Sequence, residues 1–380
     1  MPPLRERRLM DFSLSAEQQE IHARVRAAAQ EISDPRGMRQ WKELARLGLP
    51  GAAVPKEYGG SGLGALDTAL LYEGASDGGA DTGLLFAAAA HLFACARPIV
   101  EFASARTREA LLPALCSGDL IAGNAMTEPD AGSDISRLAT TATRVDGGYL
   151  LDGVKSFVSN GPSAGLYVTY ATTDPDGGYF AATAFAVDRD SPGLVAGEPL
   201  DKSALTACQA SEVRFTRCFV PDDRVLGSPG QGHLVFQTSM RWERSCLFAL
   251  YLGQQERLIR HCVRHARQRR QSGKRLADLP PVADRLADMK LRLESGRLLL
   301  YRACAEIDAG GDPGLWVALA KLAVSEAAVA TALDASRIFG GRAFLTEYGI
   351  EEHLRDAVPA TTFSGTSDIQ RQLIAREMGL

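Results

Sequence analysis

The chain has a helical pattern of apolar positions at both ends and a strand pattern in its middle. Near the N-terminus, Ser15 and Gln18 have the spacing of a capping box, and the residues that follow are strong helix formers. Apolar residues then recur at helical spacing in further stretches, which are interrupted by a glycine-rich segment at 59–64. These stretches are residues 38–49, 67–76, 83–102 and 106–116. The pattern predicts an N-terminal α-helical domain over residues 1–121.

Between about residue 122 and residue 222 the pattern changes to short runs of β-branched and aromatic residues. Turn-forming sequences such as Asp146-Gly147-Gly148 separate these runs, which predicts a central antiparallel β-barrel or β-sandwich domain over 122–228. Long helical blocks return from Gly230 onward and predict a C-terminal four-helix bundle over 229–380. The blocks are residues 232–270, 282–309, 313–340 and 367–378. The predicted fold class is therefore α+β and mainly α.

Length and charge narrow the classes of function. With 380 residues the chain has enough material for two or three packed substructures. A net charge of −4 offers no general attraction for nucleic acid or for anionic membranes. The longest apolar stretch, residues 84–96, contains His91 and is shorter than the roughly 20 residues of a membrane-spanning helix. The arginine-rich residues 1–9 precede no apolar segment, which favours a frayed tail over a secretory signal.

The cysteines and histidines point to a reduced, metal-free protein. The seven cysteines are widely spaced and form no Cys-x-x-Cys pair, which predicts reduced core thiols in a cytoplasmic protein. The six histidines show no metal-binding spacing. No metal site is therefore expected.

One glutamate stands on an apolar helix face in the last third of the chain. On the predicted helix 232–270, Glu243 lies on the stripe that Phe236, Met240 and Leu247 form. None of its neighbours three or four residues away is basic, so no ion pair within the helix offsets its burial. A buried, unpaired carboxylate has a raised pKa, which suits a base that removes a proton from carbon near neutral pH. The alternative is a core carboxylate paired with an arginine from another helix.

Two loops rich in turn formers are candidates for binding a cofactor or an anion. The segment 127–134, Thr-Glu-Pro-Asp-Ala-Gly-Ser-Asp, lies where the helical domain gives way to the β-domain. Its backbone N–H groups and hydroxyls suit a planar heterocycle and phosphate, although such a sequence also forms ordinary polar turns. The segment 364–367 precedes a helix whose capping box is expected at Ser367 and Gln370. This loop suits an anion or a developing oxyanion, and it is equally a plain helix cap.

These segments are part of a set of spaced motifs that together resemble the acyl-CoA dehydrogenase family. The resemblance runs from about Phe12 to Leu380, and the motifs occur in the family's order. The motifs are Pro55-Lys-Glu-Tyr-Gly-Gly60 with Gly62, Met126 to Asp134, Gly153-Val-Lys155, Ser159-Asn-Gly161, Arg337-Ile-Phe-Gly-Gly341, Glu347-Tyr348, Arg355-Asp356 and Gly365-Thr-Ser-Asp-Ile-Gln370. The resemblance implies the family's fold and an FAD cofactor.

The resemblance also implies which residues hold the flavin. Met126, Thr127 and Ser133 correspond to residues that bind the flavin and its pyrophosphate, and Gly341 and Thr366 correspond to further FAD contacts. Three of these five positions lie in the predicted β-domain and two in the predicted C-terminal bundle, so the implied flavin site spans two of the three parts of the chain.

Three more positions complete the implied cofactor site. Phe157 and Ser159 correspond to residues that lie against the isoalloxazine ring, where many relatives have tryptophan at the Phe157 position. Arg269 corresponds to an arginine that reaches the FAD of a neighbouring subunit. The resemblance therefore implies a homodimer or a homotetramer.

The sequence departs from the family at the position of the usual base. Ser364 stands where much of the family has glutamate, and a serine without an adjacent base cannot remove an α-proton. Members resembling the isovaleryl- and long-chain dehydrogenases instead carry the base on the first bundle helix, just before an arginine. Glu243 and Arg244 match that arrangement. Glu243 is therefore the expected catalytic base, and the Ser364 backbone N–H is expected to polarise the thioester oxygen.

A second departure concerns the substrate. The helix position that often carries an aspartate facing the pantetheine arm is Arg241 here, and Arg244 is expected on the same substrate side. An arginine there can pair with a phosphopantetheine phosphate or with a carboxylate on the acyl group. The alternative is a surface arginine in a salt bridge.

The expected function is FAD-dependent α,β-dehydrogenation of an acyl thioester. The thioester is an acyl-CoA or an acyl-carrier-protein substrate of secondary metabolism, and the electron acceptor is an electron-transfer flavoprotein or oxygen. One alternative is a flavin-dependent monooxygenase of the same fold. The other is a catalytically degenerate binding subunit. It is favoured by Ser364, by Thr206 in the stretch 203–208 where the family has Leu-Gly-x-Arg-x-Ser, and by Pro280, which replaces a glutamine of the family.

Overall fold

The computed structural model describes residues 13–31 and 38–380, which form an α-helical part, a β-sheet and a second α-helical part. The helices of the N-terminal part are α1 (Ala16–Gln30), α2 (Met38–Arg46), α3 (Ala65–Gly78), α4 (Thr82–His91), α5 (Arg97–Phe102) and α6 (Ala105–Ser117). The arginine-rich segment 1–9 and Phe12 lie outside the described residues.

Local sequence signals set the ends of these helices. The predicted capping box is confirmed, because Ser15 Oγ accepts a hydrogen bond from the Gln18 N–H at 3.2 Å and Gln18 Oε1 accepts one from the Ser15 N–H at 3.0 Å. Both bonds satisfy backbone donors that the first turn of a helix leaves free. At the other end of the domain, α6 stops at Gly118, whose φ of 70° ends the helix in the left-handed conformation.

The stretch predicted as one helix over 83–102 is divided in two. A π-helical turn, Leu92–Ala96, joins α4 to α5, and all five of its residues are buried. A wider turn inside an almost entirely apolar stretch leaves no mark in the periodicity, because apolar residues face every direction.

The middle of the chain forms one eight-stranded sheet. Its strands are β1 (Ala122–Ala125), β2 (Thr141–Val145), β3 (Gly148–Ser159), β4 (Leu166–Thr172), β5 (Ala182–Asp188), β6 (Leu194–Ala196), β7 (Ala210–Pro221) and β8 (Val225–Leu226). The order is β6-β7-β3-β1-β4-β5-β8, and β2 pairs with both β3 and β4. Because β1 and β2 each contact β3 and β4, the sheet curls toward a barrel.

The expectation of a purely antiparallel β-domain is wrong at two pairs of strands, because β4 pairs in parallel with β2, at Thr141 and Thr172, and with β1. β1 runs parallel to β4, in the register Ala122 to Leu166 through Ala125 to Thr169. The β2–β3 hairpin separates these two strands in the chain and allows β4 to return in the direction of β1. A local turn signal cannot reveal such a non-sequential pairing.

The two faces of the sheet are buried in different cores. One face forms a small core of its own, which includes Leu151, Tyr167, Phe185, Val213 and Phe215. The other face, with Leu166, Val168, Tyr170 and Ala184, packs into the main core that the helices build. The sheet is therefore fixed to the helices on both sides of it in the sequence.

The C-terminal part is a bundle whose central helix packs against several others. Its elements are α7 (Gly232–Trp242), α8 (Ala249–Gln268), a hairpin of β9 (Arg270–Gln271) and β10 (Lys274–Arg275), α9 (Pro280–Asp308), α10 (Gly314–Phe339), α11 (Ile350–Ala357) and α12 (Ser367–Glu377). α10 contacts α8, α9 and α12. α9 begins with a proline, whose missing N–H costs nothing in the first helical turn.

The predicted helix 232–270 is also divided. α7 ends at Trp242, a second π-helical turn covers Glu243–Leu247, and α8 follows. The hairpin β9–β10 and helix α11 were not predicted, because each is short and mainly polar. The wider turn leaves the candidate base at the junction of two helices.

Two helical stretches are long and apolar enough to cross a membrane by length and composition, which the sequence reading did not expect. They are Thr82–Phe102 and Gly314–Phe344, and 83% and 56% of their apolar windows are buried inside the fold. Burial of this kind is typical of core helices in globular proteins. All seven cysteines are buried and free, which confirms the prediction of reduced core thiols.

Candidate active site

Two π-helical turns meet where Glu243 lies. The turn Glu243–Leu247 packs against the turn Leu92–Ala96 and against α4. Cys95 lies close enough that the charge of Glu243, after burial itself, contributes to the raised pKa of the thiol. Turns of this type are common at functional sites, because they displace a side chain from the regular helical position. Here the displaced residue is the predicted base.

Glu243 is buried and makes no ion pair. Its relative exposure is 7%, and no arginine, lysine or histidine of the described residues lies within 4.0 Å of its carboxylate. The alternative reading of an arginine partner from another helix is therefore wrong for this chain. Its Oε1 accepts a hydrogen bond from the Ser364 hydroxyl, while Oε2 is buried without a partner among the described residues. Burial raises the pKa of Glu243, and Ser364 and Arg244 reduce that rise.

The loop before α12 is held in a conformation that brings Ser364 to Glu243. Ser364 has a φ of 55°, which is the left-handed region that non-glycine residues seldom adopt. Its carbonyl oxygen accepts hydrogen bonds from Arg244 Nε at 2.8 Å and from Gln370 Nε2 at 3.4 Å. Arg244 therefore supports this loop, while the substrate contact expected for it stays a prediction.

Aromatic side chains pack next to both candidate residues in the sequence. Phe363, just before Ser364, packs against Phe86 with ring centroids 4.7 Å apart and against Phe248 at 5.4 Å. The ring of Trp242, just before Glu243, has its centre 4.3 Å from the Arg97 guanidinium. These contacts fix the residue that directly precedes Ser364 and the residue that directly precedes Glu243.

The capping box expected at the start of α12 is wrong by one residue. The N-cap is Thr366, whose hydroxyl accepts a hydrogen bond from the Ile369 N–H at 3.2 Å. Ser367 is the first helical residue, and its hydroxyl donates to Glu326 Oε1 at 2.6 Å. Thr366, implied as an FAD contact, is thus half-buried and engaged in the cap.

The predicted flavin residues of the β-domain lie side by side. Met126 is buried directly after β1, and the Ser156 N–H donates to the Thr127 carbonyl at 2.7 Å. Asn124 of β1 pairs with Ser159 of β3, so Met126 and Thr127 are next to Phe157 and Ser159. Phe157 is 70% exposed, with a φ of 55° that turns its ring outward.

This arrangement fits a flavin. The exposed ring of Phe157 offers a stacking surface for a planar heterocycle, and the hydroxyls of Thr127 and Ser159 are hydrogen-bonding groups of the kind that its polar atoms need. FAD bound there would be held by Met126, Thr127, Phe157 and Ser159.

The remaining predicted FAD contacts lie at the surface. Ser133, Arg269 and Gly341 are exposed, and a side chain added at Gly341 would meet no atom within 4 Å. Arg269 makes no ion pair among residues 13–31 and 38–380. The nearby Arg337, where relatives often have glutamine, pairs with Asp334 at 2.9 Å. Within one chain these residues are open to the outside, as contacts with a neighbouring subunit's cofactor would require.

A buried ion pair under the cofactor loop was missed by sequence reasoning. Lys155 Nζ donates to Glu128 Oε1 at 2.7 Å and to the carbonyl of Tyr170 at 2.6 Å, and Glu128 also accepts from the N–H groups of Ala139 and Thr140. Burial lowers the pKa of Lys155 to about 8. The pair fastens the loop 126–140 to β3 and β4. The motifs Thr-Glu-Pro and Gly-Val-Lys contain both residues, but their pairing is set by the strand register.

Arg241 is exposed on α7, two residues before Glu243. It makes no ion pair with any residue of the described ranges, so the alternative of a salt-bridged surface arginine finds no support. Its guanidinium is therefore free to meet an anion that approaches along the helix.

A separate cavity lies away from the candidate base. Its volume is about 860 Å³, and it is bordered by α4, α8 and α11, with Asp81, Arg257, His353 and Asp356 among its lining residues and Glu243 not among them. Burial raises the pKa of Asp356 to about 6, and its carboxylate accepts the Leu205 N–H at 2.7 Å. The substrate chemistry argued from Glu243 does not use this cavity.

Comparison with known proteins gives consistent matches along the chain. The models of the acyl-CoA dehydrogenase N-terminal, middle and C-terminal domains match residues 14–119, 123–218 and 230–379. An L-prolyl-[peptidyl-carrier protein] dehydrogenase from Pseudomonas fluorescens is 53% identical, over 90% of this chain and 90% of that protein. The solved structure of PigA with FAD and proline is 41% identical and has a TM-score of 0.95, over 98% of this chain and 100% of the other. The prolyl acyl carrier protein oxidase AnaB is 37% identical with a TM-score of 0.94, over 97% and 100%.

Proposed function

The chain belongs to the acyl-CoA dehydrogenase family, and we propose that it oxidises an L-prolyl thioester on a peptidyl carrier protein with Glu243 as the base. FAD-dependent dehydrogenation of an acyl thioester is its activity. The choice of prolyl group and carrier protein is supported by the names of the similar proteins and by their coverage of nearly the whole chain.

One observation supports Glu243 as the base above all others. Its carboxylate is buried at the junction of α7 and α8, and one oxygen has no partner among the described residues. A buried polar atom without a partner is rare in a folded protein and calls for an explanation. A substrate C–H group placed at Oε2 provides one, since a carboxylate with a raised pKa holds a proton taken from carbon more readily.

The proposed reaction forms one double bond in the acyl group. Glu243 Oε2 takes the proton from the α-carbon, the β-hydrogen leaves with its electron pair, and a bond forms between the two carbons. FAD supplies the acceptor for that hydride when it is bound. The Ser364 backbone N–H, which has no hydrogen-bond partner among the described residues, stabilises negative charge on the thioester oxygen.

The surface residues support further parts of the proposal. Exposed Arg241 suits the phosphate of the carrier's phosphopantetheine arm, because a guanidinium binds phosphate with paired hydrogen bonds. Exposed Arg269 and Gly341 suit contact with the cofactor of a second subunit, so the enzyme is proposed to be a homodimer or homotetramer in the cytoplasm. The acceptor that reoxidises the flavin is proposed to be an electron-transfer flavoprotein or oxygen.

Neither alternative function gains support. The similar proteins are named as dehydrogenases and an oxidase, not as monooxygenases. A degenerate binding subunit would not need a buried carboxylate with one oxygen left without a partner.

The test is anaerobic bleaching of the FAD-loaded protein by a panel of thioesters. The panel contains L-prolyl-carrier protein, isovaleryl-CoA, butyryl-CoA and free L-proline, for wild type and for Glu243→Gln. The expected result is bleaching of the wild type by L-prolyl-carrier protein and a rate at least about 1,000-fold lower in Glu243→Gln, since the amide cannot take a proton.

A control variant guards against general damage to the site. Glu109→Gln changes an exposed glutamate on α6, outside the motifs and the candidate site, and is expected to bleach like wild type. Preference for a CoA thioester would refute the carrier-protein substrate, and full activity of Glu243→Gln with bound FAD would refute the base.

A further inference from the structure

Ser364 and Glu243 are 121 residues apart in the chain and are joined by a hydrogen bond inside the site. We propose that the Ser364 hydroxyl is a positioning residue for the base, holding Oε1 of Glu243 so that Oε2 alone is presented to the α-carbon. This inference rests on the proposed function, because it assigns Glu243 as the base. It adds a role for the Ser364 side chain to the backbone role already proposed.

The backbone at Ser364 is fixed for this contact. A left-handed φ of 55° costs free energy at a residue with a Cβ, so the conformation must be held by its surroundings. Arg244 Nε and Gln370 Nε2 hold the carbonyl of Ser364, and Gln370 Nε2 also donates to the Gly365 carbonyl at 3.0 Å. The loop is therefore tied both to the helix that follows it and to the residue next to the base.

The hydrogen bond has a defined electrostatic effect on the carboxylate. Burial raises the pKa of Glu243, and the hydroxyl of Ser364 is the strongest influence in the opposite direction, ahead of the charge of Arg244. A donor to one oxygen stabilises the ionised form and limits rotation of the carboxylate. The base is thus kept ionised to lower pH than burial alone would allow.

The residue type at 364 also fits this role. A second carboxylate at this position would lie within hydrogen-bonding distance of Glu243, and two such neighbours share one proton, because their like charges repel. A serine supplies a donor in the same place without a second charge. The hydroxyl at position 364 can therefore hold, by a hydrogen bond, a base that lies on another helix.

The test is the pH dependence of flavin bleaching by L-prolyl-carrier protein in the FAD-loaded enzyme. Ser364→Ala and Ser364→Gly both remove the hydroxyl, and the glycine also removes the backbone strain. Both variants are expected to shift the midpoint of the rising limb upward by about one pH unit, with about tenfold slower bleaching below that midpoint. The sign follows because loss of a donor to the carboxylate raises its pKa.

A matched control removes a similar bond away from the site. Ser117→Ala deletes a serine-to-aspartate hydrogen bond, from the Ser117 hydroxyl to Asp119 Oδ2 at 2.6 Å, at the end of α6. Its midpoint is expected to equal that of wild type. An unchanged midpoint in both Ser364 variants, or an equal shift in Ser117→Ala, would overturn the proposal.

An infrared titration separates this inference from the proposed function. The C=O band of the protonated Glu243 carboxyl is identified by its absence in Glu243→Gln, and its titration needs no substrate. The band is expected to persist to higher pH in Ser364→Ala than in wild type, even if no thioester of the panel reacts. Identical titrations in the two proteins would refute the role of Ser364 whatever the substrate is.

Discussion

Two buried glutamates of this chain have pKa values shifted in opposite directions. Glu128 is also pushed upward by burial, but Lys155 and hydrogen bonds from Ala139 and Thr140 outweigh that effect and lower its pKa. Glu243 accepts a hydrogen bond from one hydroxyl and makes no ion pair within residues 13–31 and 38–380, so the effect of burial prevails. At the scale of single residues, the partners rather than the residue type separate a structural carboxylate from a candidate base.

Arg241 is the residue expected to distinguish carrier-bound from simple substrates. Arg241→Ala should lower kcat/KM for L-prolyl-carrier protein by about fivefold, the size expected for one exposed charge contact. The kcat/KM for a prolyl thioester of a short thiol, which carries no phosphate, should not change. The measurement is steady-state kinetics at low salt, where exposed charges interact most strongly.

The control for Arg241 is another exposed arginine, Arg106 on α6. Arg106→Ala removes the same charge from a different surface and should leave kcat/KM unchanged for both substrates. Equal losses for the carrier-bound and the short thioester in Arg241→Ala would argue against a contact with the arm.

At the scale of elements, the π-helical turn at Glu243–Leu247 is held by a side chain. A π turn shifts the hydrogen-bond register by one residue, so carbonyls near its start need other donors. Ser245 is fully buried, and its hydroxyl donates to the Arg241 carbonyl at 2.6 Å. The hydroxyl thus helps to keep the turn that displaces Glu243 from the regular helix.

Ser245→Ala is therefore expected to lower the free energy of unfolding by about 1–3 kcal/mol, the cost of leaving a buried acceptor without a partner. Ser336→Ala is the matched control. Ser336 makes the same contact, to the carbonyl of Ala332 at 3.0 Å, inside the regular helix α10. There the loss should stay below about 0.5 kcal/mol. Urea titration measures the free energy of unfolding of both variants. Equal losses in the two would mean that the π turn does not depend on the hydrogen bond from Ser245.

At the scale of the whole molecule, the candidate site is assembled from all three parts of the chain. Helix α4 and the turn Leu92–Ala96 come from the first part, Met126 and Phe157 from the second, and Glu243 and Ser364 from the third. Arg269 and Gly341 are exposed, and both are proposed to contact the cofactor of a second subunit.

Arg269→Ala should therefore weaken FAD binding by about tenfold or more, the loss of a charge-assisted hydrogen bond, without changing the oligomer. Arg270→Ala is the control, because Arg270 is exposed next to it and donates to the Gly273 carbonyl of its own hairpin. Fluorescence titration measures the affinity for FAD, and light scattering measures the oligomeric state. Unchanged FAD affinity in Arg269→Ala would refute the contact between subunits.

Much of the fold was predictable because its signals are local. Helical periodicity, the capping box at Ser15 and the turn sequence at Asp146-Gly147-Gly148 each depend on residues a few positions apart. The errors arose where the determinant is distant or weak. The parallel pairing of β1 with β4, the two π turns and the cap at Thr366 are set by packing against other elements.

The sequence by itself determined the three-part architecture, the burial of the cysteines and the choice of Glu243, which stands out because it lies on an apolar stripe without a basic neighbour. Only the tertiary structure decided what surrounds that carboxylate. The hydrogen bond from Ser364, and the lack of an arginine partner among the residues that the structure describes, depend on helices that meet after the chain folds. A pattern along the chain reports which face of a helix is buried, whereas the partner of a buried polar group is chosen by residues far away in sequence.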